Sequence, residues 1–140
     1  MELGIYTFGE INQHPEGKAL TDVTTRLDRL VEVAREADPG GLDVIALGEH
    51  HRPDFTISAP EVVLAALASV TQRIRLTSGV TVLSSQDPVR VYQQYAILDH
   101  LSHGRAEIVA GHRALPALRL RPRPGRRALR RNVVDAPADP

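Results

Sequence analysis

The residues of this chain best suited to chemistry are three consecutive side chains, Glu49, His50 and His51. Histidine titrates near neutral pH, and a neighbouring carboxylate can hold one tautomer of its ring or favour the protonated form. The triplet directly follows the aliphatic run 42–47, which is typical of a short strand buried on both faces. Folds that alternate strands and helices carry their chemistry at such strand ends. The sequence therefore predicts acid–base chemistry here, and a solvated loop is the alternative.

Adjacent histidines also raise the question of a metal site. The chain contains no cysteine, which excludes disulfides and zinc sites built on sulfur. Its other histidines are scattered, and none completes the His-Glu-x-x-His pattern of a helical zinc site. The pattern therefore favours acid–base chemistry over metal binding.

The elements that must position the triplet follow from the spacing of apolar residues. Strand patterns cover residues 2–8, 43–47, 74–83 (interrupted at Ser78-Gly79) and 105–111, and helical stripes cover 21–37, 58–70 and 87–101. Ser58 and Glu61 have the spacing of a capping box, and Asp87 precedes a proline as a helix cap does. We also expect an ion pair between Asp99 and Arg105 at the last turn from helix to strand.

The order β-α-β-α-β-α-β indicates an α/β fold with parallel strands. No Gly-x-Gly-x-x-Gly follows the first strand, which weakens a dinucleotide-binding interpretation and favours a barrel. Four strands are half of the eight that a TIM-type barrel requires. Residues 1–111 are therefore predicted to form an N-terminal half-barrel with open sheet edges and a half-exposed interior, so that a homo-oligomer is also expected.

Composition places this half-barrel among ordinary soluble proteins. Hydrophobic residues make up 42% of the chain and charged residues 24%. No apolar run approaches the ~18 residues of a membrane span, and the acidic start does not resemble a signal peptide. We expect a cytoplasmic protein that does not bind membranes.

The net charge of zero conceals a division at residue 112. Residues 1–111 hold nine basic and fifteen acidic side chains, whereas residues 112–140 hold eight arginines, two aspartates and five prolines. Such a tail is typical of disorder, and an arginine-rich arm for nucleic acid is a second interpretation, although no aromatic side chain is interleaved for stacking. A third is a shifted reading frame, because GC-rich DNA read out of frame tends to encode arginine and proline. We favour the third interpretation and expect no nucleic-acid partner.

Four segments in the same order resemble the bacterial luciferase-like, flavin-dependent monooxygenases. These segments are Gly48-Glu49-His50-His51, the strand 74–83, Asp87-Pro88-Val89-Arg90, and Leu98-Asp99-His100-Leu101-Ser102-His103-Gly104-Arg105, which is similar to the family's LDxLSxGR signature. The resemblance covers residues 1 to about 111. It implies a barrel enzyme that uses reduced flavin mononucleotide (FMN), or in some branches a deazaflavin, with O2 to oxidise a small organic substrate. A flavin reductase would supply the reduced flavin.

The resemblance also implies roles for particular residues. His50 takes the position of a catalytic histidine beside the flavin ring, with Glu49 and His51 orienting it or lining the pocket. Ser78, Gly79 and Val80 match a segment whose backbone lies against the ring, and its Gly–Val peptide tends to be cis. A glycine within a strand otherwise marks a plain bulge. Phe8 and Gly9, at the tip of the first strand, are expected to line the substrate pocket with His51.

The resemblance stops where the family carries an Arg-Gly pair that helps bind the flavin phosphate. This chain has His112-Arg113 there. We therefore expect a truncated relative that binds FMN weakly or not at all, and a non-catalytic fragment is the alternative to an enzyme.

Overall fold

The computed structural model describes residues 1–11 and 21–111 of the 140-residue chain. The predictions for residues 112–140, including the tail and the role of His112, lie outside the described residues. The elements, in chain order, are β1 (Gly4–Thr7), α1 (Val23–Ala37), β2 (Val44–Leu47), α2 (Pro60–Ala68), β3 (Arg75–Ser78), β4 (Thr81–Val82), α3 (Pro88–Ser102), β5 (Ala106–Glu107) and β6 (Ala110–Gly111). No helix among the described residues is long and apolar enough to cross a membrane.

The main sheet has four parallel strands in the order β1-β2-β3-β5. Each neighbouring pair is joined by a crossover that includes a helix (α1, α2 or α3), as parallel pairing requires. The predicted α/β order is confirmed, and sequential parallel strands are the arrangement of a β/α barrel.

The two faces of this sheet differ in their surroundings. Ile45, Leu47 and Leu76 point to the side covered by the helices and have no exposed area. Register places Tyr6, Ala46, Thr77 and Glu107 in one row on the opposite side, which we call the open face. Tyr6 is 53% exposed there. The predicted half-exposed interior is therefore present.

The third predicted strand is divided in two. β3 ends at Ser78, a cis peptide joins Gly79 to Val80, and β4 then pairs with β6 in a separate two-stranded sheet. The interruption expected at Ser78-Gly79 is confirmed. The predicted fourth strand is likewise divided, into β5 and β6.

One helix cap was predicted wrongly. α2 begins at Pro60 with Ala59 as its N-cap, and no side chain caps it. Because Pro60 occupies the first helical position, Ser58 lies one residue too early to form a capping box with Glu61. At α3 the prediction is confirmed, since the Asp87 carboxylate accepts from the backbone N of Val89 at 2.9 Å and of Arg90 at 3.2 Å.

The expected ion pair between Asp99 and Arg105 is also wrong. The Arg105 guanidinium donates to the carbonyl oxygens of Ile74 and Ser102, each at 2.7 Å, and of Thr71 at 3.0 Å. Asp99 accepts instead from the backbone N of Ala106 at 3.3 Å. The carbonyls that end α2 and start β3 need donors, and a guanidinium supplies several in a fixed geometry. Arg105 therefore joins three elements through their backbone.

Candidate active site

The predicted site residues gather at the carboxyl ends of the first three strands. Phe8 and Gly9 follow β1, the Glu49 triplet follows β2, and Gly79 and Val80 follow β3. In a β/α barrel this edge is where the loops carry the chemistry.

An aromatic cluster lines this edge. The Phe8 ring contacts the rings of Tyr6, His50 and Phe55 edge-on, with centroid distances of 5.1, 5.6 and 5.8 Å. His50 stacks face to face on Phe55 at 4.1 Å, with 9° between the planes. We call these four residues the aromatic wall; it provides flat apolar surface beside polar groups.

Tyr6 ties the aromatic wall to the segment after β3. Its hydroxyl donates to the Gly79 carbonyl oxygen at 2.6 Å. Burial raises the pKa of Tyr6, and the negative charge of Glu10 raises it further, so the hydroxyl stays a donor. A Cβ at position 79 would lie 3.0 Å from the Tyr6 ring, and one at Gly48 would overlap the Phe8 ring. Glycine at both positions lets the backbone approach these rings closely.

Ser78 and Val80 are held by contacts within the fold. The buried Ser78 hydroxyl donates to the Val109 carbonyl oxygen at 3.1 Å and accepts from the Val109 backbone N at 3.3 Å. The Val80 carbonyl accepts from the backbone N of Glu49 at 3.3 Å. Backbone, rather than the Ser78 side chain, is therefore what this segment offers to a ligand.

Glu49 is the buried charged group of the site. Its side chain has no exposed area, and its carboxylate accepts from the backbone N of Val82 at 2.7 Å and from Gln86 Nε2 at 2.9 Å. Nε2 of His51 lies 2.7 Å from the other carboxylate oxygen. A buried carboxylate is tolerated when donors surround it in this way. Glu49 therefore joins the ends of β2 and β4.

The two histidines of the triplet are directed differently. The His51 side chain is 34% exposed and is paired with Glu49. His50 belongs to the aromatic wall, and its Nδ1 is buried without a hydrogen-bond partner among the described residues. The carboxylate therefore contacts His51 and not the histidine that the resemblance makes catalytic.

Gly9 is placed by its backbone. It has a φ of +66°, and a Cβ there would overlap the Thr56 hydroxyl. Its carbonyl accepts from both the backbone N and the hydroxyl of Thr56 at 3.0 Å. Gly9 is thus buried against the loop that carries Phe55, and Phe8 alone of this pair presents a side chain to the site.

Sequence reasoning did not name Tyr6, Phe55 or Gln86 as site residues. Tyr6 was detectable, because the alternation of the first strand puts it on the face opposite Ile5. Nothing in the sequence marks Phe55 or Gln86, whose contacts join segments distant in the chain. Among the described residues, no group of three or more His, Cys, Asp or Glu side chains lies close enough to hold a metal ion.

Comparison with known proteins agrees with the fold and the motifs. Residues 1–123 match the family model for luciferase-like monooxygenases. Over 105 residues the chain is 37% identical to 4-hydroxyprotoasukamycin monooxygenase of Streptomyces nodosus subsp. asukaensis, covering 74% of this chain and 28% of that protein. Over 82 residues it is 37% identical to the oxygenase component of flavin-dependent trigonelline monooxygenase of Acinetobacter baylyi, covering 58% and 23%.

A solved structure gives the same result for the fold. The oxygenating constituent of 3,6-diketocamphane monooxygenase of Pseudomonas putida, solved in complex with FMN, superimposes with a TM-score of 0.71 at 26% identity. The match covers 83% of this chain and 30% of that one. The matches thus cover between 23% and 30% of the length of these relatives. It belongs to the luciferase-like monooxygenase family.

Proposed function

We propose that this chain forms the ring-binding part of a flavin-dependent monooxygenase site. The observation that carries the proposal is the meeting of the aromatic wall with the Gly79–Val80 backbone at the carboxyl edge of the sheet. A planar ring needs flat apolar contact on one side and close backbone approach on another, and both are present.

The residues at this edge fit the cofactor. Gly79 has no side chain, which lets the Tyr6 ring pack directly on the backbone there, and we expect a flavin ring to lie against the same stretch of backbone, residues 78–80. His50 would contact the ring from the aromatic wall, as the family resemblance implies. FMN is the proposed cofactor, because one relative is named flavin-dependent and another is solved with FMN; a deazaflavin is the second candidate. Reduced flavin, when bound, supplies the reaction with O2.

Phe8 and His51 are proposed to border the space for a small organic substrate, while the buried Gly9 holds the backbone next to Phe8 against the Phe55 loop. One relative is named as the oxygenase component of a flavin-dependent monooxygenase. A separate reductase that delivers reduced flavin is therefore the proposed partner, and the cytoplasm the proposed location.

A titration with two flavins tests the proposal. Riboflavin carries the ring without the phosphate of FMN, so that comparing the two separates ring contacts from phosphate contacts. We expect weak quenching of flavin fluorescence with similar affinities for both, since the family's phosphate-binding arginine is replaced by His112. Gly79→Val should abolish binding by filling the space beside Tyr6. Gly41→Asn is the matched control, because a Cβ at Gly41 meets no atom within 4 Å and asparagine is one of the few residues that adopt its left-handed φ of +84°.

Other outcomes have distinct meanings. Tight, stoichiometric binding of FMN but not of riboflavin would contradict a site that holds only the ring. No quenching by either flavin would favour the alternative, a non-catalytic fragment. Quenching that Gly79→Val leaves unchanged would place the flavin elsewhere on the molecule.

A further inference from the structure

The two oxygens of the Glu49 carboxylate have different partners. Oε2 accepts from the backbone N of Val82 at 2.7 Å and from Gln86 Nε2 at 2.9 Å. Oε1 lies 2.7 Å from Nε2 of His51, with the Ser85 hydroxyl at 3.5 Å. A backbone N–H can only donate, so the Oε2 position must hold an acceptor. The backbone thereby fixes which oxygen faces His51.

This arrangement determines the tautomer of His51. A carboxylate oxygen only accepts, so the proton in its contact with His51 must lie on Nε2. In a neutral ring Nδ1 is then the acceptor. Nδ1 has no hydrogen-bond partner among the described residues, and the side chain is 34% exposed. Nδ1 is therefore the ring nitrogen that can take up a further proton.

His50 lacks these features. Its ring stacks on Phe55, and its Nδ1 is buried without a partner among the described residues. No carboxylate of the described residues contacts it, so nothing on this part of the chain selects its tautomer.

We propose that His51 is the proton acceptor of this site and that Glu49 is the positioning residue that holds it in the Nε2–H tautomer. The proposal rests on the proposed function and refines it, since the family resemblance gives acid–base work to His50. The step is a proton transfer alone. The proton leaves a hydroxyl group of the substrate or a water molecule and binds Nδ1, the electron pair stays on that oxygen, and no electrons reach the flavin.

Nitrogen NMR of the flavin-free 140-residue chain tests the tautomer directly. With 15N-labelled histidine, the two ring nitrogens of a neutral imidazole give separate signals for the N–H and the acceptor nitrogen. His50→Gln and His51→Gln assign the signals. We expect the protonated signal of His51 to be Nε2. A mixture of tautomers, or a proton on Nδ1, would overturn the proposal without requiring any variant at Glu49.

Glu49→Gln should reverse the tautomer. The backbone N–H of Val82 requires the amide oxygen of the substituted side chain at the Oε2 position, which turns the amide NH2 towards His51. Nε2 must then accept, and the proton moves to Nδ1. Asp54→Asn is the matched control, because Asp54 lies in the same loop and pairs with Arg52 instead. A Glu49→Gln protein that keeps the Nε2–H signal would show that Glu49 does not set it.

Acylation by diethyl pyrocarbonate tests which histidine offers a reactive nitrogen. The reagent modifies unprotonated, accessible imidazole nitrogen, and peptide mass spectrometry locates the product. We expect His51 to be acylated before His50, and equal or reversed rates would overturn its role as acceptor. The NMR and acylation measurements both use protein without flavin, so their results do not depend on whether flavin binds. A failed titration with a fixed His51 tautomer would refute the proposed function and leave the geometry of the pair intact.

Discussion

The helix-covered face and the open face of the sheet carry residues of the same strands, yet only the first is enclosed by this part of the chain. Leu47 and Leu76 on the first have no exposed area, whereas Tyr6 on the second is 53% exposed. In an eight-stranded barrel the second face is enclosed by the other strands. The helix-covered face therefore supplies the stability of the half-barrel, and the edge of the open face carries the candidate site.

Self-association is the largest effect that we expect from this difference. Among the described residues, β1 pairs only with β2 and β5 only with β3, so each has a free edge next to exposed apolar surface. Sedimentation velocity should show oligomers that grow with protein concentration. Ala46→Lys, which puts a charge on the open face, should reduce them more than Gln93→Lys on the exposed side of α3. A monomer at every concentration would show that the open face is covered.

Truncation in the helix-covered face should give the largest loss of stability. Leu76→Ala removes a fully buried side chain and should lower the free energy of unfolding by about 2–5 kcal/mol. Val44→Ala on the open side should cost only about 1 kcal/mol, because that side chain is half-buried. Urea denaturation of both variants measures the difference. Equal losses would mean that the two faces are equally packed in solution.

The sequence predicted this division of the faces because strand alternation is a local property. Ile5 and Tyr6 are neighbours in the chain, and the period of two alone places them on opposite sides. The contacts of Arg105 could not be predicted in this way, because most of the acceptors are backbone carbonyls more than thirty residues earlier in the chain. A salt bridge to the nearby Asp99 was the simpler expectation. In the folded chain the Arg105 guanidinium donates to these backbone carbonyls instead of to Asp99.

Arg105→Ala tests how much these carbonyls depend on one side chain. It removes a charged donor from the backbone oxygens of Thr71, Ile74 and Ser102. Loss of such hydrogen bonds should lower the free energy of unfolding by about 3 kcal/mol. Arg90→Ala, at an exposed position of α3, should stay within about 0.5 kcal/mol of the parent. Thermal unfolding of the two variants makes the comparison, and similar midpoints would contradict a structural role for Arg105.

The Asp38 carboxyl makes the stability of the helix-covered side depend on pH. Burial alone would raise the pKa of its carboxyl, but the backbone N–H groups of Gln72, Ile74 and Arg73 lower it to below the usual value. The carboxylate therefore contributes fully to the free energy of unfolding above about pH 3.9, which is the pKa of aspartate in the unfolded chain. This contribution is lost as the pH falls through the lower pKa of the folded state. At neutral pH, Asp38→Asn should lower the free energy of unfolding by about 1–3 kcal/mol.

Acid titration of stability checks this assignment. The Asp38→Asn protein should lose less stability than the parent between about pH 4 and pH 2, because the titrating group is gone. Asp54→Asn is the control, since that carboxylate pairs with an exposed arginine in a loop. Parallel curves for Asp38→Asn and the parent would assign the acid sensitivity to other carboxylates.

The site was predicted less completely than the fold. The sequence located it, because polar residues at the end of an aliphatic run are a local signal. It did not indicate which histidine Glu49 contacts, because residues 48–51 leave the regular strand and alternation no longer fixes side-chain direction. The backbone N of Val82, which orients the carboxylate, belongs to a segment 33 residues away. That contact exists only once β2 and β4 have been brought together.

Tyr6→Phe is expected to have the smallest effect on the free energy of unfolding. It tests whether the open face contributes to stability at the carboxyl edge of the sheet. The change deletes the hydroxyl that donates to the Gly79 carbonyl at 2.6 Å and leaves the ring in place. Because Tyr6 is half exposed, water can replace the lost donor, and the cost should be about 0.5–1 kcal/mol. Tyr92→Phe, whose side chain is 74% exposed on α3, controls for the loss of a phenol and should change nothing measurable. A Tyr6→Phe loss as large as that of Arg105→Ala would mean that the edge of the open face holds the fold together, and the separation between a stabilising face and a functional edge would then be wrong.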